Sequence, residues 1–108
     1  MPGRTLARLI FEDGFTELDA EDARDRGHRS HVYAELDDGA LYQLTYYDLT
    51  RLAQDLEVDC GLGRRFLTEP GLIIIPEITL ANMEAAARAL AAEGFFERHV
   101  APVPRSVP

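Results

Sequence analysis

Two Asp-Gly pairs in the first half of the chain, each flanked by apolar residues, constrain the fold more than any other feature. Asp13-Gly14 lies between Ile10-Phe11-Glu12 and Phe15-Thr16-Glu17-Leu18, and Asp38-Gly39 between Val32-Tyr33-Ala34-Glu35-Leu36 and Leu41-Tyr42-Gln43-Leu44-Thr45-Tyr46-Tyr47. Both positions of such a pair tolerate positive φ, which lets the flanking strands keep their right-handed twist, so each pair predicts an antiparallel hairpin. The first strand is expected over residues 5–12, with Leu6, Arg8, Ile10 and Glu12 on one side and Ala7, Leu9 and Phe11 on the other. Its return strand is residues 15–18. In the second hairpin a two-residue turn would pair Asp37 with Ala40. Alternation then places Tyr33, Tyr42, Leu44 and Tyr46 on one face, and Val32, Ala34, Leu36, Leu41 and Tyr47 on the other.

The pattern turns helical elsewhere. Asp19 as N-cap, early acids, late arginines and a Gly27 stop predict a short, polar helix over residues 19–26. Asp48 caps a longer one, whose Leu49, Leu52, Ala53 and Leu56 recur at the spacing of one helical face and which Gly61 or Gly63 ends. Leu72-Ile73-Ile74-Ile75, the most apolar run, reads as a buried strand bent by Pro76, with Ile74 at its centre. Thr79 caps a last helix over residues 80–93, with Leu80, Met83, Ala86, Ala87 and Leu90 facing inward and Gly94 as a left-handed C-cap. Phe95-Phe96 and Val100 read as a core-closing segment or short strand. The expected architecture is an α+β two-layer sandwich, a mainly antiparallel sheet with the two principal helices on one face. It forms one domain over residues 1–100, followed by a flexible Pro-rich tail over residues 101–108.

The chain has 108 residues, 46% hydrophobic and 28% charged, which suits one globular domain. No apolar run reaches the length of a membrane span. Met1-Pro2-Gly3-Arg4 opens no signal-peptide pattern, so a cytoplasmic location is expected, and the single cysteine, Cys60, asks for no internal disulfide. A net charge of -8 disfavours nucleic acid and anionic membrane as partners and favours a basic protein. All 11 basic residues are Arg, a bias that resembles a GC-rich bacterial coding sequence.

Candidate chemistry is sparse. His28 and His31 have a spacing that binds metal on a helix, but the strand expected there would point them to opposite faces. Cys60 follows a helix and neighbours Glu57 and Asp59, the opposite of a thiolate-stabilising setting. Gly61-Leu62-Gly63-Arg64-Arg65 has the glycines and cations of a phosphate loop but opens onto no helix. The acids Glu12-Asp13, Glu35 with Asp37-Asp38, and Asp55 with Glu57 match turns and exposed helix faces. No nucleophile signature is present, so neither metal, cofactor nor catalytic residues are assigned.

All four tyrosines fall on the second hairpin. Tyr42, Tyr46 and Tyr47 with Glu35, Asp37, Asp38 and Asp48 are therefore the candidate partner-binding residues, an acidic and aromatic patch of the kind interfaces use. In size, acidity and lack of catalytic apparatus the chain is similar to the small bacterial immunity proteins that neutralise toxin domains, a likeness that carries no motif. The expected function is a noncatalytic protein-binding module, an immunity or antitoxin-like inhibitor of a basic protein. The alternatives are a small-molecule or enzymatic domain with a pocket between sheet and helices, and a structural homo-oligomer, a homodimer in its simplest form.

Overall fold

The computed structural model describes residues 4–106; Met1, Pro2, Gly3, Val107 and Pro108, and what the sequence predicts for them, lie outside the described residues. In chain order the elements are β1 (Leu6–Phe11), α1 (Glu17–Arg26), β2 (His28–Leu36), β3 (Leu41–Tyr47), α2 (Leu49–Gly61), β4 (Leu72–Ile74), α3 (Leu80–Ala92), α4 (Phe95–His99) and β5 (Pro102–Val103). The sheet runs β1-β2-β3-β4, with β5 also on β3. Every pairing is antiparallel except β3 with β4, which is parallel because α2 carries the chain back across the sheet. Among the described residues no helix is long and apolar enough to cross a membrane.

The first Asp-Gly pair makes a turn but no hairpin. Asp13 and Gly14 both have positive φ, 65° and 81°, and the Gly14 N–H donates to the Phe11 carbonyl at 2.9 Å. The chain then enters α1 instead of a return strand. Thr16-x-x-Asp19 is a reciprocal capping box, so Thr16 is the N-cap and Asp19 the third helical residue. Phe15 folds back onto Phe11, ring centroids 4.4 Å apart, and the Arg29 guanidinium lies against both rings. The partner of β1 is β2.

The second hairpin forms with its register moved by one residue. Glu35 pairs with Leu41, and the Leu36 N–H donates to the Ala40 carbonyl at 3.0 Å, so Asp37, Asp38 and Gly39 make a three-residue loop with only Gly39 left-handed, φ 84°. Each strand keeps the alternation read from sequence. The slip instead joins Val32, Ala34 and Leu36 to Tyr42, Leu44 and Tyr46 on one face, and leaves Tyr33, Leu41 and Tyr47 on the other. Two irregularities complete the arrangement. The extra residue between Leu6 and Arg8 lets Leu6, Leu9 and Phe11 all reach the core face, and that between Arg29 and Val32 places His31 at φ 56°.

The first of these faces carries the core. Val32, Ala34, Leu36, Leu44 and Tyr46 pack with Ala23 of α1, Met83, Ala87 and Ala91 of α3 and Phe96 of α4, none more than 2% exposed. The Phe95-Phe96 segment closes the core as a short helix, and Gly94 is left-handed at φ 74°. The two-layer α+β arrangement follows from this, with α3 as the principal covering helix.

Three expectations need correction. α2 forms where the sequence places it, with Asp48 accepting from the Arg51 N–H, but none of its residues is buried and none belongs to the core. Ile74 is 48% exposed on the sheet edge, whereas Ile75 and Ile78, past the end of β4, are the buried ones at 6% and 0%. A parallel edge strand of three residues cannot bury every apolar side chain in a run of four. Finally, order does not stop at Val100. β5 pairs with β3 at Tyr42 and Leu41, and Arg105 then donates to the Gly39 carbonyl and to Glu35. Proline costs nothing there, since an edge strand needs few donors.

Candidate functional site

The residues expected to form one patch are divided among three places. Tyr42 is 6% exposed and stacks on Phe96, centroids 5.3 Å apart; Tyr46 is fully buried and donates to the Met83 carbonyl at 2.9 Å. Burial pushes the Tyr46 hydroxyl far above its ordinary pKa. These two are core residues. Asp37, Asp38 and Glu35 cluster at the loop end of the hairpin, where Asp37 accepts from the Thr5 N–H, Asp38 pairs with Arg4, and Glu35 bridges Arg8 at 2.8 Å and Arg105 at 2.6 Å. Hydrogen bonds from Arg8 and Arg105 hold the Glu35 carboxyl below its usual range. Asp48 stands at the opposite end of β3, about 20 Å away along a strand of this length. Its carboxylate is occupied with capping α2 and lies over Gly27, where a Cβ would meet it and one of the two would have to shift.

Serine, histidine and glutamate do meet in one open cavity of about 360 Å³ between α1, the Asp13-Gly14 turn and the start of β2. Ser30 Oγ is 3.1 Å from His31 Nδ1, and Glu12 is 3.7 Å from the same nitrogen. A proton relay needs the nucleophile and the carboxylate on opposite ring nitrogens, so this trio does not make one. His28 also lines this cavity and lies against the Tyr47 ring, centroids 4.6 Å apart. Among the described residues no three His, Cys, Asp or Glu side chains are grouped to hold a metal ion. Arg64 of the 61–65 loop stacks on the Phe66 ring at 4.3 Å. Core side chains pack between the sheet and α3, and the cavity beside α1 and the cleft beside α2 both open to the outside.

One of them joins chemistry the sequence holds far apart. Tyr47, Asp55, Val58, Asp59, Arg64, Leu67, Thr68 and Glu69 line a cleft of about 300 Å³ between α2, the segment after it and the end of β3. Asp55 forms its floor, accepting from the Tyr47 hydroxyl at 2.9 Å and from Arg51 at 2.8 Å. Partial burial pushes the Asp55 carboxyl up, but the bonds from Arg51 and Tyr47 outweigh it and hold the group below the usual carboxylate range. Desolvation, with the Asp55 bond added, pushes the Tyr47 hydroxyl up to about 12, so it remains a neutral donor. Asp59 and Glu69 add two carboxylates against the single cation Arg64. Val58 and Leu67 are the apolar part of the lining, with Val58 61% exposed, and the lining Arg64 stacks on the exposed Phe66 ring.

Of the residues expected in the partner-binding patch only Tyr47 lines this cleft, with Asp48 at the root of the helix beside it, while Asp55, Asp59 and Arg64 were named from sequence in other connections. The meeting of Asp59 with Glu69 carried no sequence signal, because the end of α2 and the irregular chain after it separate them and only the fold brings them together. No protein-family model, no curated protein and no solved structure matches the chain.

Proposed function

We propose that this protein is a noncatalytic protein-binding module, a small acidic inhibitor of the immunity or antitoxin type, acting in the cytoplasm on a basic protein. The observation that carries the reading is the cleft beside α2. Its carboxylates Asp59 and Glu69 suit an Arg or Lys side chain, Asp55 being engaged by Tyr47 and Arg51, and Val58 and Leu67 beside them suit the apolar neighbours of that side chain. Apolar side chains beside carboxylates suit a docking site, where the charge selects the partner.

The test is binding to the products of neighbouring genes by calorimetry, at low and high salt, with the wild type and an Asp59→Asn, Glu69→Gln double variant. A basic partner should lose at least about tenfold in affinity with the double variant. It should also bind less tightly as salt rises. An affinity indifferent to both changes would remove the cleft as the site.

A further inference from the structure

Arg64 is the cation among the residues that line the cleft beside α2, and its backbone is anchored there. The Leu62 N–H donates to the Val58 and Asp59 carbonyls, and after the left-handed Gly63, φ 91°, the Arg64 N–H donates to the Asp59 carbonyl at 2.8 Å. The chain thus turns back on the end of α2. The Arg64 side chain starts beside Asp59, in a cleft that also holds Glu69 and Asp55. Carboxylates so placed attract a guanidinium.

The side chain nevertheless goes elsewhere. Among the described residues Arg64 makes no ion pair, and its guanidinium lies over the Phe66 ring, 4.3 Å from the centroid. Asp59 and Glu69 are likewise without an ion-pair partner among these residues, whereas Asp55 has Arg51. Phe66 is 56% exposed and belongs neither to the core nor to the lining of the cleft, so packing does not account for an aromatic side chain at this place. Its contact is with Arg64.

Both resting places open to Arg64 are surface contacts. A cation over an exposed ring and an ion pair in solvent are of similar, modest strength, so the choice between them is easily tipped. On Phe66, Arg64 leaves Asp59 and Glu69 free. On the carboxylates it would fill the place of a partner's cation and cancel the charge that attracts it. A cation tethered in this way competes at a fixed effective concentration, and the apparent affinity for an outside one falls with the fraction of molecules whose cleft is open. We infer that Phe66 is a positioning residue, which holds the cleft's own arginine off Asp59 and Glu69 and so keeps them open to a basic side chain. This rests on the reading of the cleft as a cation site and adds to it the contact that regulates access.

The test is a mutant cycle on the full chain, with tetra-arginine amide as the probe and the amide signals of Asp59 and Glu69 followed by NMR. Phe66→Ala should weaken binding about two- to fivefold, because Arg64 moves onto the carboxylates. Phe66→Tyr keeps the aromatic face and should bind as the wild type does. Arg64→Gln should bind at least as tightly as the wild type, and Phe66→Ala added to it should change nothing further. Both positions are exposed, so circular dichroism should be unaltered in every variant. Without any ligand, the Phe66 ring should shift the Arg64 side-chain protons upfield. The inference is overturned if Phe66→Ala binds like the wild type, or loses as much without Arg64 as with it, which would make Phe66 a direct contact. Weaker binding by Arg64→Gln, or Arg64 protons that feel no ring, would overturn it too. Binding indifferent to Asp59→Asn with Glu69→Gln would instead remove the cation cleft itself, and the role of Phe66 with it.

Discussion

His28 is half-buried against the Tyr47 ring, and that burial, aided by the positive charge of Arg51, holds its imidazole below the ordinary pKa. The unfolded chain therefore takes up the proton first as pH falls through about 6.5, and folding weakens from there until the folded form is protonated too. Stability of the wild type should drop between pH 7.5 and pH 5.5, and His28→Gln should flatten that part of the profile in denaturant titrations. A slope unchanged by the substitution would place the titrating group elsewhere. Neighbouring residues show what a sequence does and does not reveal at this scale. Thr79 and Asp48 as N-caps, and Gly27 and Gly94 as left-handed residues, were legible because capping is a contact within a few residues. Thr16 was missed in favour of Asp19, although both belong to the same capping box, since either side chain satisfies the pattern alone.

Among the elements, β4 separates apolar composition from burial. Ile78 has no exposed surface and Ile74 nearly half of its own. Ile78→Asp would bury an unpaired carboxylate, at a cost of several kcal/mol against a total stability of about 5 to 15, and the domain should not fold. Ile74→Asp should be soluble and folded, with stability within about 1 kcal/mol of wild type. Thermal denaturation of the pair decides between them, and a collapse of both would mean that β4 is covered by something else. The C-terminal strand carries a second expectation. Because β5 covers Leu41 and Arg105 ties the Gly39 loop to Glu35, removing residues 102–108 should lower the melting temperature by about 5 °C or more. An unaltered melting curve would return the tail to the role its prolines suggest. β1 to β4, the two long helices and their caps were thus readable from periodicity, whereas the return strand expected over residues 15–18 gives way to α1 and β5 was read as tail. The pairing was not, since a turn of two residues and one of three fit the same Asp37-Asp38-Gly39, and that single choice decides which side of β2 shares a layer with Tyr42 and Tyr46.

For the molecule as a whole, the placement of α2 lay beyond the sequence for a related reason. A stripe of leucines states that a helix buries one side, but not whether the surface it meets belongs to the same chain. The candidate site went unread with it, because Asp55, Asp59 and Glu69 converge only once α2 stands off the sheet. The loop Asp37-Asp38-Gly39 shows the opposite case, local in sequence and global in effect. Thr5 and Arg4 bind it from one end of the chain, and Arg105 binds it from the other. The beginning and the end of the fold are therefore neighbours, and the order in which the elements are synthesised is not fixed by their arrangement. A circular permutant that joins Arg105 to Arg4 through a short Gly-Ser linker and opens the chain between Leu62 and Gly63, both exposed, should reach the same sheet. Cooperative unfolding with wild-type circular dichroism would be the sign of it. In that chain β4 and α3 would leave the ribosome before the hairpin they pack on.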